Sequence, residues 1–123
     1  MKKIILDTNA LMAIAEFKID IFSELERICD FTYDLYILEG TIKELKKIME
    51  EQRQKFKRAA KLALAIVKAK GIKKIASSNY VDDVLVELSK KGDLILTQDI
   101  ELKKRLTKPY LTIRQKKRVV LMK

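Results

Sequence analysis

The chain has 123 residues, 48% of them hydrophobic, with 27 basic and 17 acidic residues, a net charge of +10 and no histidine. That suits one compact domain over 1–123 with a real core, and the longest apolar runs fall short of the 18 residues a membrane helix needs. Without histidine there is no imidazole base, no Ser-His-Asp or Cys-His triad and no familiar zinc site, so any metal must be held by oxygen, which selects Mg²⁺ or Mn²⁺.

KKIILD (2–7) reads as a buried strand that stops on a carboxylate, Asp7. It enters without an apolar leader, so a cytoplasmic protein is expected. Residues 9–17 predict a helix with Leu11, Ile14 and Ala15 on one face. Residues 19–29 predict another, with Ile19, Phe22, Leu25, Ile28 and Cys29 at helical spacing. The single Cys29 reads as a small core residue. YDLYILE (33–39) is a second strand. Residues 40–52 and 58–70 predict one long or two successive helices, stopped by Gly71. KKIAS (73–77) is a short strand and 79–91 a helix. DLILTQ (93–98) is a strand, and 100–107 a short helix ended by Pro109. LTIR and VVLM form either a strand pair or one bent strand. Alternation of this kind implies an α/β fold with a central, mainly parallel sheet flanked by helices.

Four acids fall just after strands or near helix starts: Asp7, Glu44, Asp82 and Asp99. In open parallel sheets the crevice at the carboxyl ends of the strands binds ligands. Carboxylates gathered there repel one another unless a cation sits among them. Each acid also has a purely local explanation. Asp7 suits a turn, Thr41-x-x-Glu44 is a capping-box pattern, Asp82 suits a helix start, and Asp99 suits an N-cap. The functional reading rests on all four meeting at one edge. Helical phase separates Asp82 from Asp83. With Val81, Val84, Leu85 and Leu88 as the buried face, Asp82 lies about 110° from its centre and Asp83 about 150°. Asp82 is therefore the expected ligand and Asp83 an outer partner.

Residues 101–123 hold nine basic residues and one acid, so most of the net charge is concentrated there. A basic segment on a small domain suggests a polyanion such as nucleic acid; the alternative is a solvated end. Tyr80 and Tyr110 suit either base stacking or ordinary packing.

ILDTN (5–9), TIKEL (41–45), YVDDVLVEL (80–88) and LTQDIELKKRL (96–106) together resemble the PIN-domain nucleases, small metal-dependent ribonucleases. The last two blocks look most like the rRNA-processing branch and its short archaeal relatives. The toxin branch usually has smaller residues where this chain has Val84, Leu85 and Val86. The resemblance implies a PIN-like fold and carries catalytic, metal-holding roles onto Asp7, Glu44, Asp82 and Asp99. Asn9 and Thr97 would support them through hydrogen bonds, and a homodimer is favoured. It implies metal-assisted hydrolysis of RNA leaving a 5′-phosphate and a 3′-hydroxyl. Arg53, Lys57, Lys103, Lys104, Arg105, Arg114, Lys116, Lys117 and Arg118 would grip the RNA backbone without reading sequence. The rivals are a non-catalytic RNA-binding PIN module, a toxin-type ribonuclease, and a phosphotransfer domain. A haloacid-dehalogenase-like site wants an acid two residues after Asp7, where Asn9 stands.

Overall fold

The computed structural model describes all residues except 52 and 79, which fall at the expected end of one helix and start of another. Six strands form one sheet in the order β3-β2-β1-β4-β5-β6. They are β1 (Lys2–Leu6), β2 (Tyr33–Leu38), β3 (Lys73–Ile75), β4 (Leu94–Leu96), β5 (Tyr110–Arg114) and β6 (Arg118–Met122). The first five run parallel and β6 pairs antiparallel with β5. LTIR and VVLM are thus a strand pair. The helices are α1 (Thr8–Phe17), α2 (Ile21–Ile28), α3 (Glu39–Glu51), α4 (Gln54–Ala69), α5 (Val81–Lys90) and α6 (Ile100–Arg105). Among the described residues none of them is long and apolar enough to cross a membrane.

The uninterrupted apolar strands follow from burial on both faces. Alternate residues feed opposite layers. Ile4, Leu6, Ile37, Leu94 and Leu96 pack with α1 to α4, whereas Ile5, Leu38 and Ile95 pack with α5 and α6. Cys29, expected in the core, packs against its margin and is half-buried, because it lies just past the end of α2.

Two features position the site. From β1 the chain moves outward through β2 and β3, then returns to lay β4 on the other side of β1. The crevice between the carboxyl ends of β1 and β4 is therefore the topological switch point, where α/β sheets bind ligands. The second feature is helix direction. Ile14, late in α1, shares a groove with Leu62, Ile66 and Ala69, late in α4. Ile42, early in α3, shares another with Leu64 and Val67 of α4. So α1 and α4 run the same way, α3 runs against them, and the start of α4 lies toward the carboxyl edge of the sheet.

At the far border, α2 closes on β6. The Val119 N–H donates to Glu24 Oε1 at 3.0 Å, and Arg27 donates to the Val119 carbonyl at 3.3 Å.

Candidate active site

Asp7 leaves β1 at the switch point and becomes the N-cap of α1. It is 5% exposed. Its Oδ1 accepts the Thr8 N–H at 2.8 Å, and its Oδ2 accepts the Thr97 hydroxyl at 2.7 Å. Thr97 follows β4, and its Oγ1 in turn accepts the Asp99 N–H at 3.1 Å. Asp99 caps α6, accepting from Glu101 and Leu102 through Oδ1 at 2.9 and 3.2 Å. The local explanation for Asp99 thus holds, and the same cap fixes its carboxylate beside the crevice. The Thr8 hydroxyl donates to Glu44 Oε2 at 3.3 Å. One threonine therefore steadies two acids: its amide serves Asp7 and its hydroxyl serves Glu44.

The capping-box explanation for Glu44 does not hold. Helix α3 starts at Glu39, directly after β2, so Thr41 and Glu44 lie inside it and Glu44 is in the second turn rather than the first. The Thr41 hydroxyl is buried without a hydrogen-bond partner among the described residues. On α5 the buried positions are Val81, Leu85, Val86 and Ser89, while Val84 and Leu88 are only half-buried. The buried face is thereby turned toward Asp82, which lies about 35° from its centre, and away from Asp83, at about 135°. Asp82 escapes burial because it is in the first turn, at the rim of the sheet.

Electrostatics link the acids. Burial pushes Asp7 up from 3.8 to about 6, with the Thr97 and Thr8 hydrogen bonds opposing and Asp82 and Asp99 adding to the rise. Burial raises Glu44, with Asp7 adding, the Thr8 bond opposing and Asp82 adding. Burial raises Asp82, Asp99 adds to it, and Arg105 opposes. These are carboxylates close enough to hinder one another's ionisation. Among the described residues, no three acidic or cysteine side chains converge tightly enough to enclose one ion as they stand. The donor set is nonetheless all oxygen. Glu44 and Asp82 also border an open cleft of about 420 Å³, together with Tyr80, Val81, Asp83 and Arg105, and have room to turn inward.

Other expected contributors divide. Thr97 bonds Asp7 as expected. Asn9 is exposed on α1, and among the described residues no hydrogen bond joins it to the acids. Two positions past Asp7, the helix turns it away. Asp83 is held by Arg105, its Oδ1 accepting at 2.6 Å. Tyr80 stands 74% exposed on the cleft rim, whereas Tyr110 is in the core.

The basic residues frame this edge. Arg53 precedes α4 and Lys57 lies in its first turns, on the carboxyl side. Leu111 is level with Leu96, so β5 extends about 10 Å past β4 and carries Arg114, Lys116, Lys117 and Arg118, all exposed, to the same side. Lys116 Nζ rests 5.2 Å over the Phe17 ring. Lys103 and Lys104 lie on α6, where Lys104 pairs with Glu101 at 3.4 Å.

Sequence reasoning passed over Thr8, Gly40 and Ser77. Thr8 was visible only as a neighbour of Asp7. Gly40, second in α3, donates its N–H to Ser77 Oγ at 2.9 Å. A Cβ there would stand 2.6 Å from Val81 Cγ2 and 2.8 Å from the Ser78 carbonyl oxygen. The contact docks the start of α5, and hence Asp82, against the helix that carries Glu44. Gly40→Ala is expected to lower stability by ~1–3 kcal/mol through overpacking, read as a fall in melting temperature. An unchanged melting temperature would mean the α3–α5 approach is slack.

A sheet of this order, with acids at its switch point, defines a PIN fold, and sequence comparison assigns the chain accordingly. The family described as "PIN like domain" matches residues 4–116, and the chain belongs to that family. The protein named ribonuclease VapC4 of Methanocaldococcus jannaschii is 31% identical over 123 residues, covering 95% of this chain and 94% of that one. The PIN domain endonuclease Utp24 shares the fold, with a TM-score of 0.77 and 23% identity over 97% of this chain and 90% of its own.

Proposed function

We propose that this protein is a divalent-metal-dependent endoribonuclease whose catalytic acids are Asp7, Glu44, Asp82 and Asp99. What carries the reading is that these four acids lie near enough at the carboxyl edge of the sheet to raise one another's charge penalty. The kinship with a protein named ribonuclease VapC4 supports RNA as the substrate. Asp7, Glu44, Asp82 and Asp99 would hold the cation, which would supply Lewis-acid activation of a water and neutralise charge on the phosphate. Oxygen donors suit Mg²⁺ or Mn²⁺. The chain's own work is positioning. Thr97 and Thr8 fix Asp7, Thr8 steadies Glu44, and the α6 cap fixes Asp99. The basic rim holds the RNA backbone across this edge. A role in RNA processing follows the resemblance of 80–88 and 96–106 to rRNA-processing members.

The test is cleavage of labelled single-stranded and structured RNA with Mg²⁺, Mn²⁺ or EDTA, with product ends mapped. Cutting that needs the ion and leaves 5′-phosphates is expected; cutting that persists in EDTA refutes the reading. Sequencing of RNA crosslinked to the protein in its own cells would identify the substrate.

The rim makes its own prediction. Reversing Lys116, Lys117 and Arg118 to Glu is expected to flatten the slope of log affinity against log salt by about 2, at roughly 0.7 per contact on a single strand. An unchanged slope would leave these residues a solubilising turn.

A further inference from the structure

We propose that Arg105 is the phosphate-seating residue of the cleft, gripping the reacting nucleotide with its guanidinium fork, and that Asp83 is the positioning residue that aims it. The inference rests on the ribonuclease reading and deepens it. Helix α6 has six residues, Ile100–Arg105, and starts at the Asp99 cap. It therefore spans about 9 Å, fixing Asp99 at one end and Arg105 at the other. Packing of α6 beside α5 brings Arg105 to Asp83, 22 positions earlier in the chain.

Charge supplies the first argument. Glu44, Asp82 and Asp83 line the cleft, and among the described residues lining it Arg105 is the sole cation. Apart from a bound ion, a phosphodiester entering there meets three carboxylates, and only Arg105 opposes them. Its proximity also counteracts the repulsion felt by Asp82.

Geometry supplies the second. Arg105 engages Asp83 through one terminal nitrogen, with the bond running to Oδ1 alone. A guanidinium carries five N–H donors in a rigid fork, so most remain to meet a phosphate while the Asp83 bond persists. Both side chains are about half or more exposed, at 48% for Arg105 and 65% for Asp83. Exposed pairs of this kind contribute little to stability, so holding the fold together is a weak reason for this one. Orienting a long side chain over a cleft is a better one.

The experiment uses the full chain with Arg105→Ala, Arg105→Lys, Asp83→Asn and the Asp83→Asn/Arg105→Ala pair. Affinity for a labelled single-stranded RNA is read in EDTA across salt, and kcat and KM are read with Mn²⁺. Arg105→Ala is expected to flatten the salt slope by about 0.7 and to cut kcat/KM by about 10–100-fold, in the range of a lost charge-assisted, bidentate contact. Arg105→Lys restores the slope but not kcat/KM, because an ammonium lacks the fork. Asp83→Asn keeps the slope, lowers kcat several-fold, and adds nothing in the Arg105→Ala background, since residues acting through one another are not additive. Unchanged melting temperatures exclude a folding defect. The proposal is overturned if Arg105→Ala stays within about twofold of wild type in kcat/KM, if lysine restores activity fully, or if the paired losses add. A wild-type chain that binds RNA but never cuts it removes the ribonuclease reading instead, and the slope in EDTA then decides whether Arg105 contacts phosphate.

Discussion

Asp82→Asn is expected to lower RNA cleavage by at least ~100-fold with little change in melting temperature. The side chain is exposed in the first turn of α5, and asparagine keeps its size. What is lost is a negative charge aimed into the cleft, and positioned hydrolysis is steeply sensitive to such a loss. Asp99→Asn should behave alike, because asparagine caps a helix as well as aspartate does and α6 will hold. Binding of RNA in EDTA should be kept or slightly tightened, since a repulsive carboxylate near phosphate has gone. Asp83→Asn should cost only several-fold, because Asp83 lines the cleft as the partner of Arg105 and lies about 135° from the buried face of α5. Equal trace cutting by wild type and Asp82→Asn would mean a contaminating nuclease, and the RNA-binding module would then be the better reading. A dead Asp83→Asn beside an active Asp82→Asn would mean that the wrong carboxylate of α5 had been chosen.

The second large effect has the opposite sign. Asp7→Asn is expected to stabilise the protein at neutral pH in EDTA. A rise from 3.8 to about 6 on a buried group amounts to a penalty of at most ~3 kcal/mol on the charged form. Because the folded state holds this proton more tightly than the unfolded state, the contribution favours folding below pH 4. It is lost as pH climbs from about 4 to about 6, and is flat above. The margin of the variant over wild type should widen across that window and then stop growing. Asparagine can still accept the Thr8 N–H, and its amide can donate to Thr97 Oγ1; the Thr97 hydroxyl hydrogen then loses its acceptor, so the gain is smaller than the full charge penalty while its pH dependence is kept. Adding Mn²⁺ should reverse the order, since a ligand of the native state stabilises it and the variant lacks a donor. Melting curves from pH 4 to 7.5, with and without Mn²⁺, measure both arms. A margin independent of pH would show that the buried charge at Asp7 carries no such penalty.

Much of this site was readable from local signals. Asp7 and Asp99 sit where apolar runs stop, and both ends of the switch point follow from that punctuation. The choice of Asp82 over Asp83 rests on a face that is incomplete. Val86 and Ser89 are buried against the sheet and α6 side, and a face drawn without them has its centre displaced. Around Glu44 the sequence mimics a cap, because nothing local says that α3 begins at Glu39 with no loop after β2. Thr8, Gly40 and Ser77 depend on contacts 36 or more positions apart in the chain, which no window can reveal. The β5–β6 turn hid for a different reason. Gln115 and Lys116 take positive φ, both 54°, without the glycine or asparagine that normally announces such a turn.

The outermost strand has a consequence for life in a crowded solution. Unclaimed main-chain groups along a border strand invite further copies to add, and stacking of that sort ends in fibres. Here Glu24 and Arg27 occupy both main-chain groups of Val119, and the opposite border, β3, is three residues long and carries exposed Lys73 and Lys74. Both margins are thus poor templates for polymerisation. Pairing of two copies strand to strand is therefore disfavoured on both sides of the sheet.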